Sequence, residues 1–236
     1  MISRDSVLRR LPSSLDQKQA LFMDGIRHSG EIAGFAYNRL QSTLTTIATQ
    51  KFTPEIADEL YTSAFLDAWS LVDVIDRFRA LWLLFPDSEL QPPPAGEKSF
   101  QEISQPVRNL RNVTDHLAQR AEYVLSHGGS ALGSLSWFTI TDLHAQKGLI
   151  CAIVPGTLRT SSRSVVNPCG RRIEVPTGHI ELSAGEYRAN ISEVLPHMEI
   201  RIRELEASLA EVLAEHSLEE SQAGADLLLK VELSGL

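Results

Sequence analysis

Leu110-Arg111-Asn112-Val113-Thr114-Asp115-His116-Leu117 is the stretch on which the fold of this chain is decided. Advancing at roughly 100° per residue, Ile103, Leu117 and Ala121 fall within about 20° of Leu110, and Val113 and Val124 within about 60°. That apolar stripe predicts a helix buried along one side. Arg111 and His116 flank it toward the far side, with Arg108, Asn112 and Asp115 between them. Asn112 and His116 are i, i+4 neighbours, as are Arg111 and Asp115. The helix opens near Ser99, where Glu102 is placed to complete a capping box, and closes at His127-Gly128-Gly129. Pro106 is a candidate bend in its first turns.

Upstream, Pro86 to Glu97 contains Pro92-Pro93-Pro94 and reads as an extended connection. A second helix starts at Thr53-Pro54 and runs to Phe85, carrying Leu60, Ala64, Leu71, Ile75, Phe78, Leu81 and Trp82. Its acids Asp67, Asp73 and Asp76 read as surface residues, with Asp73 paired to Arg77 at helical spacing. A first helix spans about 15 to 48 after a start signal at Leu11-Pro12-Ser13-Ser14. Leu21, Ile26, Ile32, Phe35, Leu40, Leu44 and Ile47 recur along it at near-helical intervals. Gly25, Gly30 and Gly34 either allow a close helix contact, mark a kink, or are simply tolerated.

Downstream the period changes. Leu135 to Thr141 and Leu149 to Pro155 read as strands. Thr157 to Gly170 is a polar loop, with a turn at Asn167-Pro168-Cys169-Gly170. Ile173 to Pro176 and His179 to Ser183 form a hairpin around Thr177-Gly178. A last helix runs from about 186 to 216, with Leu195, Ile202, Leu205, Leu209 and Val212 on one side. The expected fold is mainly α: a bundle of about four long helices with a small antiparallel β-sheet inserted at 134–183, within a single domain over 1–236.

The net charge is -8, which counts against a generic nucleic-acid binder, although 98 to 130 is close to neutral. The two cysteines, Cys151 and Cys169, lie in no ligand-spaced cluster, so neither structural zinc nor a disulfide framework is expected. The apolar runs at Ala80 to Pro86 and Leu149 to Pro155 are too short to span a bilayer. A soluble cytoplasmic protein with no membrane partner is the expectation.

RNA cleavage at its own ribose needs a proton taken from the 2′-OH, one given to the leaving oxygen, and stabilisation of a charged phosphorus centre. His116 has the chemistry for proton transfer and Arg111 for a two-pronged grip on phosphate, with Asn112 to orient either. A lone histidine does not readily serve as both acid and base, and two copies across a symmetric dimer would. Spacing alone equally describes a helix-surface ion pair beside an exposed histidine.

The run Arg111-Asn112-x-x-x-His116 resembles the signature of the HEPN superfamily, an arginine usually followed by a polar residue and, four to six residues on, a histidine. The resemblance covers about 15 to 127. It implies an all-helical bundle, a homodimer whose paired signatures form one cleft, and metal-independent endoribonuclease activity of the kind found in toxin–antitoxin, anti-phage and RNA-processing systems. Catalytic roles then fall to Arg111, His116 and Asn112, with no cofactor and no metal. The family also holds non-catalytic modules, so the alternative is a helical interaction or regulatory protein with a protein partner such as an antitoxin. The strand-rich segment and the acidic balance depart from a minimal member.

Arg108, Arg159, Arg163, Arg171 and Arg172 are the candidate contacts to RNA or a partner; a solvated loop is the plainer account of the last four. Trp69, Trp82 and Trp137 read as core or dimer interface, Trp137 least clearly. His144 and His179, on or beside strands, have no third ligand at metal spacing. No phosphate loop, dinucleotide fingerprint or nucleophile elbow occurs.

Overall fold

A computed structural model describes residues 1–84, 98–116, 118–119, 121–126, 130–156, 168, 176–216, 221 and 226–232. Five α-helices and four strands make up the described chain: α1 (Gln17–Thr49), α2 (Pro54–Leu83), α3 (Phe100–Asp115), α4 (Ala121–Ser126), β1 (Ser134–Asp142), β2 (Lys147–Ile153), β3 (Thr177–Ala184), β4 (Tyr187–Asn190) and α5 (Ile191–Glu215). This is the expected mainly helical chain with a small antiparallel sheet before the last helix. The proline-rich connection at 86–97 and the loop carrying Arg159, Arg163, Arg171 and Arg172 lie outside the described residues, as does Cys169.

The helix starts are chemically specified. Asp16 caps α1, its carboxylate accepting from the amides of Lys18 and Gln19 at 2.9 and 3.3 Å. Ser99 and Glu102 form the anticipated capping box on α3. Asn190 caps α5 by accepting from the Glu193 amide at 3.2 Å. Thr53 begins α2 without a side-chain cap bond, leaving proline at the first position as the start signal.

Gly25 and Gly30 mark close helix approach. A Cβ on Gly25 would stand 2.7 Å from Leu81 Cδ1, and one on Gly30 would stand 2.8 Å from Ile202 Cδ1. Along α1, Ile26, Leu40 and Leu44 are buried, but Leu21, Ile32 and Phe35 are exposed. On α5, Val212 is exposed and Leu213 takes its place in the core.

The sheet order is β2-β1-β3-β4, all antiparallel, leaving β2 and β4 as edges. Thr177 and Gly178 belong to β3 rather than to a turn. The hairpin closes one turn later, between Ala184 and Tyr187, with Gly185 at φ 60. A glycine at that first central position fits a two-residue hairpin, so residues 187–190 form a strand where helix was expected. Leu135, Trp137, Ile180, Leu182 and Ala189 face the helices and share one continuous core with Leu44, Leu71, Leu110 and Met198. A hydroxyl chain ties α1 to the sheet: Thr177 Oγ1 lies 2.7 Å from both Thr45 and Thr139 Oγ1. Among the described residues, no helix is long and apolar enough to cross a membrane.

Candidate functional site

The decisive helix is shorter than its periodicity suggests. Ser104, Val107, Leu110 and Val113 form its buried stripe, which ends as α3 ends at Asp115. Thr114 Oγ1 donates to the carbonyls of Arg111 and Leu110 at 2.9 and 3.3 Å. Asp115 adds an unfavourable negative charge at the C-terminal end. His116 is the C-cap residue, with φ -115 and ψ 24, and the chain turns before α4. Ala121, expected on the buried stripe, is exposed, whereas Val124 is buried.

The arginines of α3 meet α2. Arg111 Nη1 donates to Asp76 Oδ2 at 2.6 Å, and Arg108 Nη1 donates to the same oxygen at 2.8 Å. Arg111 Nη2 lies 3.3 Å from Asp73 Oδ1, and its Nε lies 3.7 Å from Asp115 Oδ2. Asp73 also takes the expected bond from Arg77, at 2.9 Å. Donation to Asp76, reinforced by the charges of Asp73, Asp76 and Asp115, raises the Arg111 pKa above its ordinary value despite partial burial. Three carboxylates thus face Arg77, Arg108 and Arg111, and the local charge is balanced. His116 is exposed, Asn112 is half-buried, and neither has a side-chain hydrogen bond or ion pair among the described residues. Arg108 and Arg111 are brought together by Asp76, whereas His116 sits beyond the helix end.

Asp76 and Asp67 are corrections to the surface reading: both are buried, at 1% and 0% exposure. The signal was present in the sequence. Asp67 lies roughly 40° from Leu71 on the helical projection, and Asp76 roughly 40° from Val72, which puts both acids inside the apolar sector. Their partners come from other helices, which i, i+4 reasoning on α2 does not reach. Arg39 of α1 serves Asp67, its Nε donating to Oδ2 at 2.8 Å and to Oδ1 at 3.0 Å.

A second feature adjoins this cluster, with Asp73 belonging to both. An open groove of about 1400 Å³ runs between α2 and β2, lined chiefly by Phe65, Leu66, Trp69, Trp137, Cys151 and Ile153. It exceeds the roughly 300–1,000 Å³ usual for small ligands. Trp69 Nε1 donates to the Leu132 carbonyl at 3.1 Å at its rim. Trp137 is buried in the core, and its Nε1 has no hydrogen-bond partner among the described residues. Burial pushes the Cys151 thiol up. Among the described residues no group of three or more histidine, cysteine, aspartate or glutamate side chains could hold a metal. No protein-family model, curated protein or solved structure matches this chain.

Proposed function

We propose that this chain is a non-catalytic interaction protein that takes an extended apolar polypeptide segment into the groove between α2 and β2. The observation that carries the reading is the engagement of Arg111. Its guanidinium faces Asp73, Asp76 and Asp115, so a phosphate approaching it meets carboxylates rather than a positive field. It also shares with Arg108 the compensation of a buried carboxylate, which is a structural task. The groove supplies what a binding protein needs: an apolar floor and a strand edge with no strand paired to it among the described residues.

The competing reading is a HEPN-type endoribonuclease in which His116 moves protons and Arg111 steadies phosphate. One observation favours it: His116 is exposed at the end of the helix that carries Arg111 and has no ion pair among the described residues. Incubating the purified protein with a mixed RNA pool, with and without EDTA, separates the two. The interaction reading expects intact RNA in both tubes. Products ending in 2′,3′-cyclic phosphate, lost in a well-folded His116→Ala protein, would overturn it.

A further inference from the structure

Residues 226–232 run without regular secondary structure, and Leu227, Leu228, Leu229 and Val231 are 76–83% exposed. Four large apolar side chains in so short a run are unusual on a surface that has no use for them. The root of this tail is fixed. Asp226 Oδ1 accepts from Arg27 Nη2 of α1 at 2.7 Å. Beyond it, Leu227, Leu229 and Val231 alternate with Leu228, Lys230 and Glu232, the period of a strand with one apolar face.

The groove offers the matching surface. β2 pairs with β1 alone among the described strands. Cys151 and Ile153 line the groove, and Leu149 shares their face of the strand; the three stand opposite Trp137, Leu135 and Thr139 of β1. We infer that the tail of a second copy adds to the free edge of β2 as an antiparallel strand, with Leu227, Leu229 and Val231 beside Ile153, Cys151 and Leu149, and that the exchange is reciprocal. This rests on the reading of the chain as an interaction protein and names its partner.

Two observations select this occupant. The antiparallel direction brings Glu232 to the Lys147 end of β2, opposite in charge, while Asp226 stays with its own Arg27. The area reaches the range of a specific interface. At on the order of 100 Å² of apolar surface per large side chain, three tail side chains and three on β2, taken twice over, bury about 1,200 Å², the lower end of the range for a specific interface. A two-fold exchange closes on itself and does not propagate into a fibre.

The register makes Cys151 a built-in reporter, because Leu229 falls opposite it. Leu229→Cys in a Cys169→Ser background, oxidised with copper–phenanthroline, is expected to give a disulfide-linked species of two chains of 26.1 kDa each on a non-reducing gel. The band should vanish when Cys151→Ser is added. Leu228→Cys, on the opposite face, should cross-link at least about tenfold more slowly. In sedimentation, Leu229→Asp with Val231→Asp should weaken self-association by at least about tenfold. These tail positions are exposed, so the fold is not at stake. A disulfide closed within one chain, no cross-link at all, or unchanged self-association of the aspartate variant would each overturn the exchange. Failure here with RNA left intact removes the tail as occupant, whereas RNA cleavage by the wild type removes the interaction reading beneath it.

Discussion

Two buried acids on the same helix are handled differently. Asp67 is met by a single guanidinium that reaches both carboxylate oxygens, from Arg39 on α1. At Asp76, a single oxygen is shared by two arginines of α3, and Oδ1 has no hydrogen-bond partner among the described residues. The first is a closed fork that joins α1 to α2. The second is a redundant joint between α2 and α3, in which either arginine partly covers for the other. Redundancy makes Arg111 look expendable to the fold and therefore available for chemistry. The surrounding carboxylates of Asp73 and Asp115 argue the opposite.

The comparison can be broken first by emptying one joint completely. Arg108→Ala with Arg111→Ala leaves buried Asp76 without a cation and should cost about 3–5 kcal/mol in urea unfolding. Arg39→Ala removes the sole donor from Asp67 among the described residues. It should lower the melting temperature more than Arg108→Ala or Arg111→Ala does alone. Equal effects of all three single variants would erase the distinction between fork and shared joint.

A smaller change sharpens the contrast. Ser99→Ala removes the capping box of α3 and should cost about 1 kcal/mol, read by the same unfolding measurement. It loosens only the helix that carries Arg108 and Arg111, so adding it to Arg39→Ala should be additive to within about 0.5 kcal/mol.

The smallest effect comes from a third pair with the burial reversed. Arg27 is 1% exposed and its partner Asp226 is 64% exposed. The hydrogen bond from Arg27, and then its charge, hold the Asp226 carboxyl below its ordinary value. A depressed folded value means that the contribution is complete above the unfolded value and is lost as pH falls through the folded one. Wild type should therefore melt slightly above Asp226→Asn at neutral pH, and the gap should close below roughly pH 4. A gap that widens on acidification would contradict the pairing.

Much of the scaffold was legible because local rules dictate it. The capping box at Ser99 and Glu102, proline at the start of α2, and β1 and β2 all lie where the sequence places them. The misses have local and tertiary causes. Residues 187–190 became a strand because Gly185 permits a tight hairpin, a backbone event that outweighs helical periodicity. The end of α3 before His116 is marked by no glycine or proline in the sequence. Asp67 and Asp76 were misjudged because their counter-charges sit 28 to 35 residues away, on other helices. The Arg-x-x-x-x-His spacing was visible in the sequence, and what occupies Arg111 was not.

The most direct test of whether Arg111 belongs to that acid cluster is a double-mutant cycle between Arg111→Ala and Asp76→Asn, with stability measured by urea unfolding. Because Arg111 is one-third exposed, solvent screening keeps the coupling modest, and about 1 kcal/mol is expected. Losses that simply add, to within about 0.3 kcal/mol, would contradict the account and return Arg111 to the pool of residues free for catalysis.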